Sequence, residues 1–191
     1  MALLKLENIS KAFGGNPIIE NTSFEVNPGD TIALTSPSGS GKSTMLAMAG
    51  LLMTPDSGSI IVEGGADALA FSDKQLSELH QKLLGFVFQS TQLIGSLRAT
   101  ENVIAPSNFA VGKLSFNPEE RAAELLERFG LADRMYHYPH QLSVGQKRRV
   151  AVARAMLLKP RIVIADEPTN DLDEESAKEV ANALFEYAEQ G

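Results

Sequence analysis

Residues 31–44 place the tightest constraint on the fold. Thr31-Ile32-Ala33-Leu34-Thr35, an apolar and β-branched run, leads into the loop Ser36-Pro37-Ser38-Gly39-Ser40-Gly41, which opens on Lys42-Ser43-Thr44 and a helical pattern to about Leu52. A buried strand that passes through a glycine loop into a helix suits an α/β fold built on a largely parallel sheet. Small residues let successive backbone N–H groups turn inward, and the helix N-terminus adds partial positive charge, so such a loop can cradle phosphate oxygens. Lys42 would reach the β- and γ-phosphates and Ser43 would ligate Mg2+. The loop follows the pattern Gly-x-x-x-x-Gly-Lys-Ser/Thr except at its first glycine, where Ser36 stands. If the backbone there needs positive φ, serine costs roughly 1 kcal/mol, which weakens a phosphate cradle without abolishing it.

Further strands are expected at Ser59-Ile60-Ile61-Val62, Gly85-Phe86-Val87-Phe88 and Arg161-Ile162-Val163-Ile164-Ala165, the last opened by Pro160. Between about Ser90 and Gly145 the pattern turns helical and reads as an insertion into the α/β core. Within it Asn117 is an N-cap, Pro118 the first helical residue and Glu120 the partner of a capping box, with Ala122, Leu125, Leu126 and Phe129 on one face before Gly130. A last helix over about Glu174–Gln190 carries Ala177, Val180, Ala181, Leu184 and Ala188 on one stripe, with Gly191 placed to end it.

Composition excludes several classes of function. The 191 residues contain no cysteine, which removes disulfides, thiolate metal sites and a cysteine nucleophile. The longest uncharged apolar stretch, Ser43 to Pro55, is too short to span a bilayer, and Lys5 and Glu7 interrupt Met1-Ala2-Leu3-Leu4 before a signal-peptide core can form. A cytoplasmic location is therefore expected. Residues 160–191 carry nine acids against two bases, which accounts for the whole formal charge of −7. A nucleic-acid binder would show a basic field instead, so no nucleic-acid partner is expected. The one dense basic cluster, Lys147-Arg148-Arg149 with Arg154, reads as a solvated helix face rather than a phosphate-backbone site.

Asp166 and Glu167 follow the apolar run 162–165 directly. Ligands of an open α/β sheet sit at the carboxyl ends of its strands, so Asp166 can reach the metal shell beside the phosphate loop. Glu167 is then a candidate to polarise an attacking water.

The segment Leu142-Ser143-Val144-Gly145-Gln146, about twenty residues before Asp166, resembles the signature sequence of ATP-binding-cassette (ABC) ATPases, with Val144 where glycine is usual. Other motifs resembling that family fall in order along almost the whole chain. They are the P-loop, Gln89 after Phe86-Val87-Phe88 as in the Q-loop, the signature, Asp166-Glu167 as in the Walker B strand, and Asn170-Asp171-Leu172-Asp173 as in the D-loop. Gly85-Phe86-Val87-Phe88-Gln89-Ser90, Leu93-Ile94 and Thr100-Glu101-Asn102-Val103 look most like the ATPases of macrolide-export and lipoprotein-release transporters.

The resemblance implies a P-loop NTPase (RecA-like) core with a parallel-rich sheet, an N-terminal antiparallel β part and a helical subdomain over about 90–145, all in one ABC ATPase domain, 1–191. It implies that MgATP is bound by Phe13, which stacks on adenine, and by Ser38, Gly39, Ser40, Gly41, Lys42, Ser43 and Thr44. Ser43, Gln89 and Asp166 would hold Mg2+, and Glu167 with Gln89 would serve hydrolysis. It further implies head-to-tail pairing with a second ABC ATPase domain, in which Ser143, Val144, Gly145 and Gln146 meet the γ-phosphate held by the other copy and Asp171 crosses the dimer interface. An integral membrane permease would be the other partner, with this subunit peripheral on the inner face of the membrane.

Phe13 also reads as an ordinary core phenylalanine. The family usually continues into a strand ending in a histidine that contacts the γ-phosphate, whereas here the chain stops at Gly191 and His80, His137 and His140 all precede Asp166. A chain cut short of its natural protein and a natural short form with impaired hydrolysis are both compatible with this. The function expected is an energy-coupling subunit that binds and hydrolyses ATP. The alternatives are an ABC ATPase unconnected with transport and a nucleotide-binding regulatory cassette with little turnover.

Overall fold

The computed structural model describes all residues except Ser36, Ser38, Asp171, Gln190 and Gly191. The chain divides into two compact units, Met1–His80 with Ala188–Gly191, and Gln81–Tyr187.

In the first unit, β1 (Leu4–Phe13), β2 (Asn16–Val26) and β3 (Ser57–Val62) form an antiparallel sheet in the order β2-β1-β3, with α1 at Lys42–Ala49. Leu4 and Leu6 of β1 obey a two-residue alternation and are buried, but the next buried residue is Ile9, an odd step away. The register shifts between Leu6 and Ile9, and Asn8 there has φ +50°, so a bulge returns Ile9 to the core face. β3 makes room for it with Gly58, where a Cβ would lie 2.6 Å from the Asn8 carbonyl oxygen. Phe13 and Asn16 pair across Gly14-Gly15, both at positive φ, the two-residue turn whose twist suits a hairpin.

The second unit contains β4 (Leu84–Val87) and β5 (Ile162–Ala165), paired in parallel from Leu84↔Ile162 to Val87↔Ala165. The Asp166 N–H donates to the Val87 carbonyl at 2.9 Å and extends the ladder by one residue. Around this pair lie α3 (Ala99–Ile104), α4 (Pro118–Arg128), α5 (Val144–Met156) and most of α6 (Glu174–Glu189), while α2 (Asp73–Leu83) runs across the division between the units. The core joins Val87, Val103, Leu126, Val150, Met156 and Val180, all nearly or fully buried. Short 3-10 turns at Ala105–Phe109, Ala132–Arg134 and Pro139–Gln141 complete a largely helical stretch between α3 and α5.

Most expected elements appear within a residue or two, and the differences have local causes. The helix after Lys42 ends at Ala49, because Leu51 takes φ +57° and the N–H groups of Leu51 and Leu52 close back on the Met48 and Ala47 carbonyls. Asn117 caps α4 as expected, but its side chain accepts from the Glu119 N–H. The strand expected at Thr31–Thr35 is not formed: the segment has no ladder partner among the described residues, and Ile32 and Leu34 are 46% and 36% exposed. An apolar β-branched run becomes a strand only where a neighbour takes its backbone hydrogen bonds. Gly191 as a helix stop lies outside the described residues.

The basic cluster is corrected most strongly, since it is not a solvated face. Arg148 is 3% exposed and donates to the Phe88 carbonyl at 2.8 Å. Arg149 donates to the Phe129 carbonyl and pairs with Glu179, and Arg154 donates to the carbonyls of Thr91 and Gln92. Burial holds the Arg154 guanidinium below its ordinary value. These planar forks tie loop carbonyls that no helix or ladder satisfies. Arg148→Ala strands the Phe88 carbonyl and opens a void, so a loss of about 2–4 kcal/mol is expected. Urea denaturation measures it, and a change below about 0.5 kcal/mol, the range of ordinary surface substitutions, would contradict the strut.

Candidate functional site

In the first unit, Gly39 (φ +79°) and Gly41 (φ +93°) turn the loop so that Gly41 caps α1 and Lys42 begins it. Three donors converge on one acceptor: Pro37's carbonyl takes the Ser40 N–H at 3.3 Å, the Ser40 hydroxyl at 2.7 Å and the Lys42 ammonium at 3.0 Å. The Lys42 charge is thus folded onto its own loop, on an acceptor that a more strongly charged phosphate oxygen could replace. Ser43 is exposed and Thr44 half-buried, both in the first turn of α1. Ser38 lies outside the described residues. Phe13 is 46% exposed with the Lys11 ammonium 5.8 Å from its ring centroid, which excludes the core reading.

In the second unit, parallel pairing of β4 and β5 sets their C-terminal ends side by side and delivers Gln89 and Glu167 to one place. The Gln89 amide donates to Glu167 Oε2 at 2.9 Å, across 78 positions of sequence. Asn170 donates to the same oxygen at 3.2 Å, and its N–H closes a turn on the Glu167 carbonyl at 3.1 Å. Glu167 is exposed and takes φ +47°. A non-glycine residue there is strained, and such strain collects at functional positions.

The signature segment starts α5. Ser143 is its N-cap: its hydroxyl accepts from the Gln146 N–H at 3.2 Å, while Gln146 Oε1 accepts from the Ser143 N–H at 2.9 Å. Val144 is 54% exposed, and Gly145 is buried where a Cβ would meet the Ser176 hydroxyl at 3.0 Å. Nearby, Asp173 caps α6 by accepting from the Ser176 N–H, which holds its carboxyl below the usual range. Asp171, expected at a dimer interface, lies outside the described residues.

Sequence reasoning missed two supporting residues. Asn102 is fully buried, accepting from the Ile94 N–H and donating to the carbonyls of Ile94, Leu97 and Arg98, and so staples the loop that follows Gln89. Arg148 holds Phe88, the residue before Gln89. Asn102 stood in the family-like segment Thr100-Glu101-Asn102-Val103 with no role assigned to it, whereas Arg148 stood in a cluster whose apolar spacing with Val152 and Met156 could have been read as an inward face.

The donors assigned to Mg2+ fit that ion. The Ser43 hydroxyl, the Asp166 carboxylate and the Gln89 amide oxygen are hard oxygen ligands, few enough that most of the shell would be water and phosphate oxygens. Among the described residues, no group of three or more carboxylates and imidazoles could hold a metal by itself. No helix of the described residues is long and apolar enough to cross a membrane.

Comparison with known proteins shows which family the chain resembles as a whole. Residues 19–170 match the family described as ABC transporter. The lipoprotein-releasing system ATP-binding protein LolD of Bacteroides thetaiotaomicron is 39% identical over 184 residues, 96% of this chain and 84% of that protein. The LolD of Ehrlichia canis is 43% identical over 188 residues, covering 97% and 83%. Among solved structures, the dimeric ATP-binding cassette MJ0796 bound to ADP and Pi, in a post-hydrolysis state, superposes with a TM-score of 0.87 at 34% identity, covering 98% of this chain and 83% of that one.

Proposed function

Because the chain belongs to the ABC transporter family, with the P-loop NTPase fold of its ATP-binding cassettes, we propose that it is the MgATP-hydrolysing subunit of a lipoprotein-release type transporter, peripheral on the inner face of the membrane and bound to a permease there. It acts as a single cassette, 1–191, with a helical subdomain over about 90–145. The observation that carries the reading is the meeting of Gln89 and Glu167 at the ends of two parallel strands.

ATP enters between Phe13, whose exposed ring stacks on the base, and the loop 38–44. Lys42 and the Ser40 N–H exchange the Pro37 carbonyl for phosphate oxygens, and the backbone N–H groups of Gly39 and Gly41 would hold the rest of the charge. Ser43, Asp166 and Gln89 would hold Mg2+, which would neutralise phosphate charge there. Glu167 accepts the proton of the attacking water.

Ser143 uses one lone pair on the helix cap, and its O–H is left to donate to the γ-phosphate of a second copy, with the N-terminal end of α5 behind it. Val144, Gly145 and Gln146 complete that face, and Asp171 crosses the interface. ATP thereby joins two copies and hydrolysis parts them, a two-state element that a permease gripped by both can follow.

The test is equilibrium MgATP binding and phosphate release on the same samples of the chain and its Lys42→Ala variant. Removing a hydrogen bond from a charged donor costs about 1.5–3 kcal/mol, so affinity should fall about 10- to 150-fold and phosphate release with it. Equal affinity in the variant would remove ATP from this loop. Recovery of no integral membrane partner with the protein purified from membranes would remove the permease.

A further inference from the structure

We propose that Asn170 is a positioning residue for hydrolysis, its side-chain amide fixing the Glu167 carboxylate in the orientation from which it takes the proton of water. The proposal rests on the reading of Glu167 as the base. Glu167 is exposed, and the backbone at φ +47° turns its side chain away from the course an extended strand would give it. Such a carboxylate needs a tether to point one way, and among the described residues the side-chain amides of Gln89 at 2.9 Å and Asn170 at 3.2 Å both donate to Oε2. With Oε2 so engaged, the proposal assigns the incoming water to Oε1.

The two tethers differ in how they are anchored. Gln89 reaches Glu167 from the end of another strand, through its side chain. Asn170 is tied to Glu167 twice, by its side-chain amide on Oε2 and by the 3.1 Å bond from its N–H to the Glu167 carbonyl. The short turn 167–170 thus carries its own tether for the carboxylate while the proton transfers.

Asn170→Ala keeps the backbone turn and removes only the amide. Its kcat is expected to fall about 10- to 100-fold, with the KM for ATP and the Tm within error of the parent. Asn170→Asp keeps the shape but replaces the donor by an acceptor, and should be no better than alanine. Because Asn170 acts through Glu167, Asn170→Ala should add nothing to the slow residual rate of Glu167→Gln, a strongly non-additive cycle.

A second readout needs no turnover: in the nucleotide-free, nitrogen-15-labelled chain, Glu167→Ala should shift the Asn170 side-chain amide resonance. That resonance unmoved, an additive cycle, or a raised KM with unchanged kcat would each overturn the proposal. Parental turnover in Glu167→Gln would instead strike down the reading of Glu167 as base, and the proposal with it, while the amide resonance still reports whether the contact exists.

Discussion

Glu167→Gln lowers steady-state phosphate release by on the order of 10²–10⁴-fold, the usual weight of a positioned general base, and leaves MgATP affinity unchanged. Glutamine has the same shape and still offers an oxygen to the Gln89 and Asn170 amides, so the turn at 167–170 survives. What is lost is the ability to take a proton. Loading and pairing then proceed without the step that undoes them, and a chain twice the monomer size should accumulate with ATP on size-exclusion chromatography. Release at the parental rate would show that the proton goes elsewhere.

Gly41→Ala is expected to cost about 2–5 kcal/mol in urea denaturation, from roughly 1–2 for the left-handed backbone and 1–3 for overpacking. At φ +93° a Cβ on residue 41 would stand 2.6 Å from Ile18 Cγ2 and 2.9 Å from Ile19 Cδ1, so strain and collision coincide. Gly39→Ala is the control: its φ is +79°, but a Cβ there meets nothing within 4 Å, so only the backbone share of the loss should appear. ATP affinity should fall steeply in the Gly41 variant, because that residue sets where the first turn of α1 aims its N–H groups. Equal losses in the two variants would show that the contact with Ile18 and Ile19 carries no weight.

The elements legible in the sequence were those whose signals are local. Asn117 and Pro118 announce α4 because capping is decided within one turn, and Ile162–Ala165 reads as a strand because every residue of it is apolar. The hairpin between β1 and β2 is equally local, since Gly14-Gly15 supplies its turn. Thr31–Thr35 failed in the other direction, since an apolar run is only permission to pair.

The site divides in the same way. The order of Lys42, Gln89, Ser143, Asp166 and Glu167 along the chain was enough to carry the resemblance to ABC ATPases, and the family is the one that residues 19–170 match. Nothing local says that the Gln89 amide reaches Glu167 across 78 positions, that Asn170 shares its oxygen, or that Arg148 and Arg154 end on the carbonyls of Phe88 and Thr91. Those contacts depend on which strands pair and which helix face the core accepts. By itself the sequence determined which groups are available for ATP and where each stands on its own turn or strand. Tertiary structure alone decided which of them meet, because a distance between residues far apart in the chain is set by the packing of whole elements rather than by any property of the residues themselves.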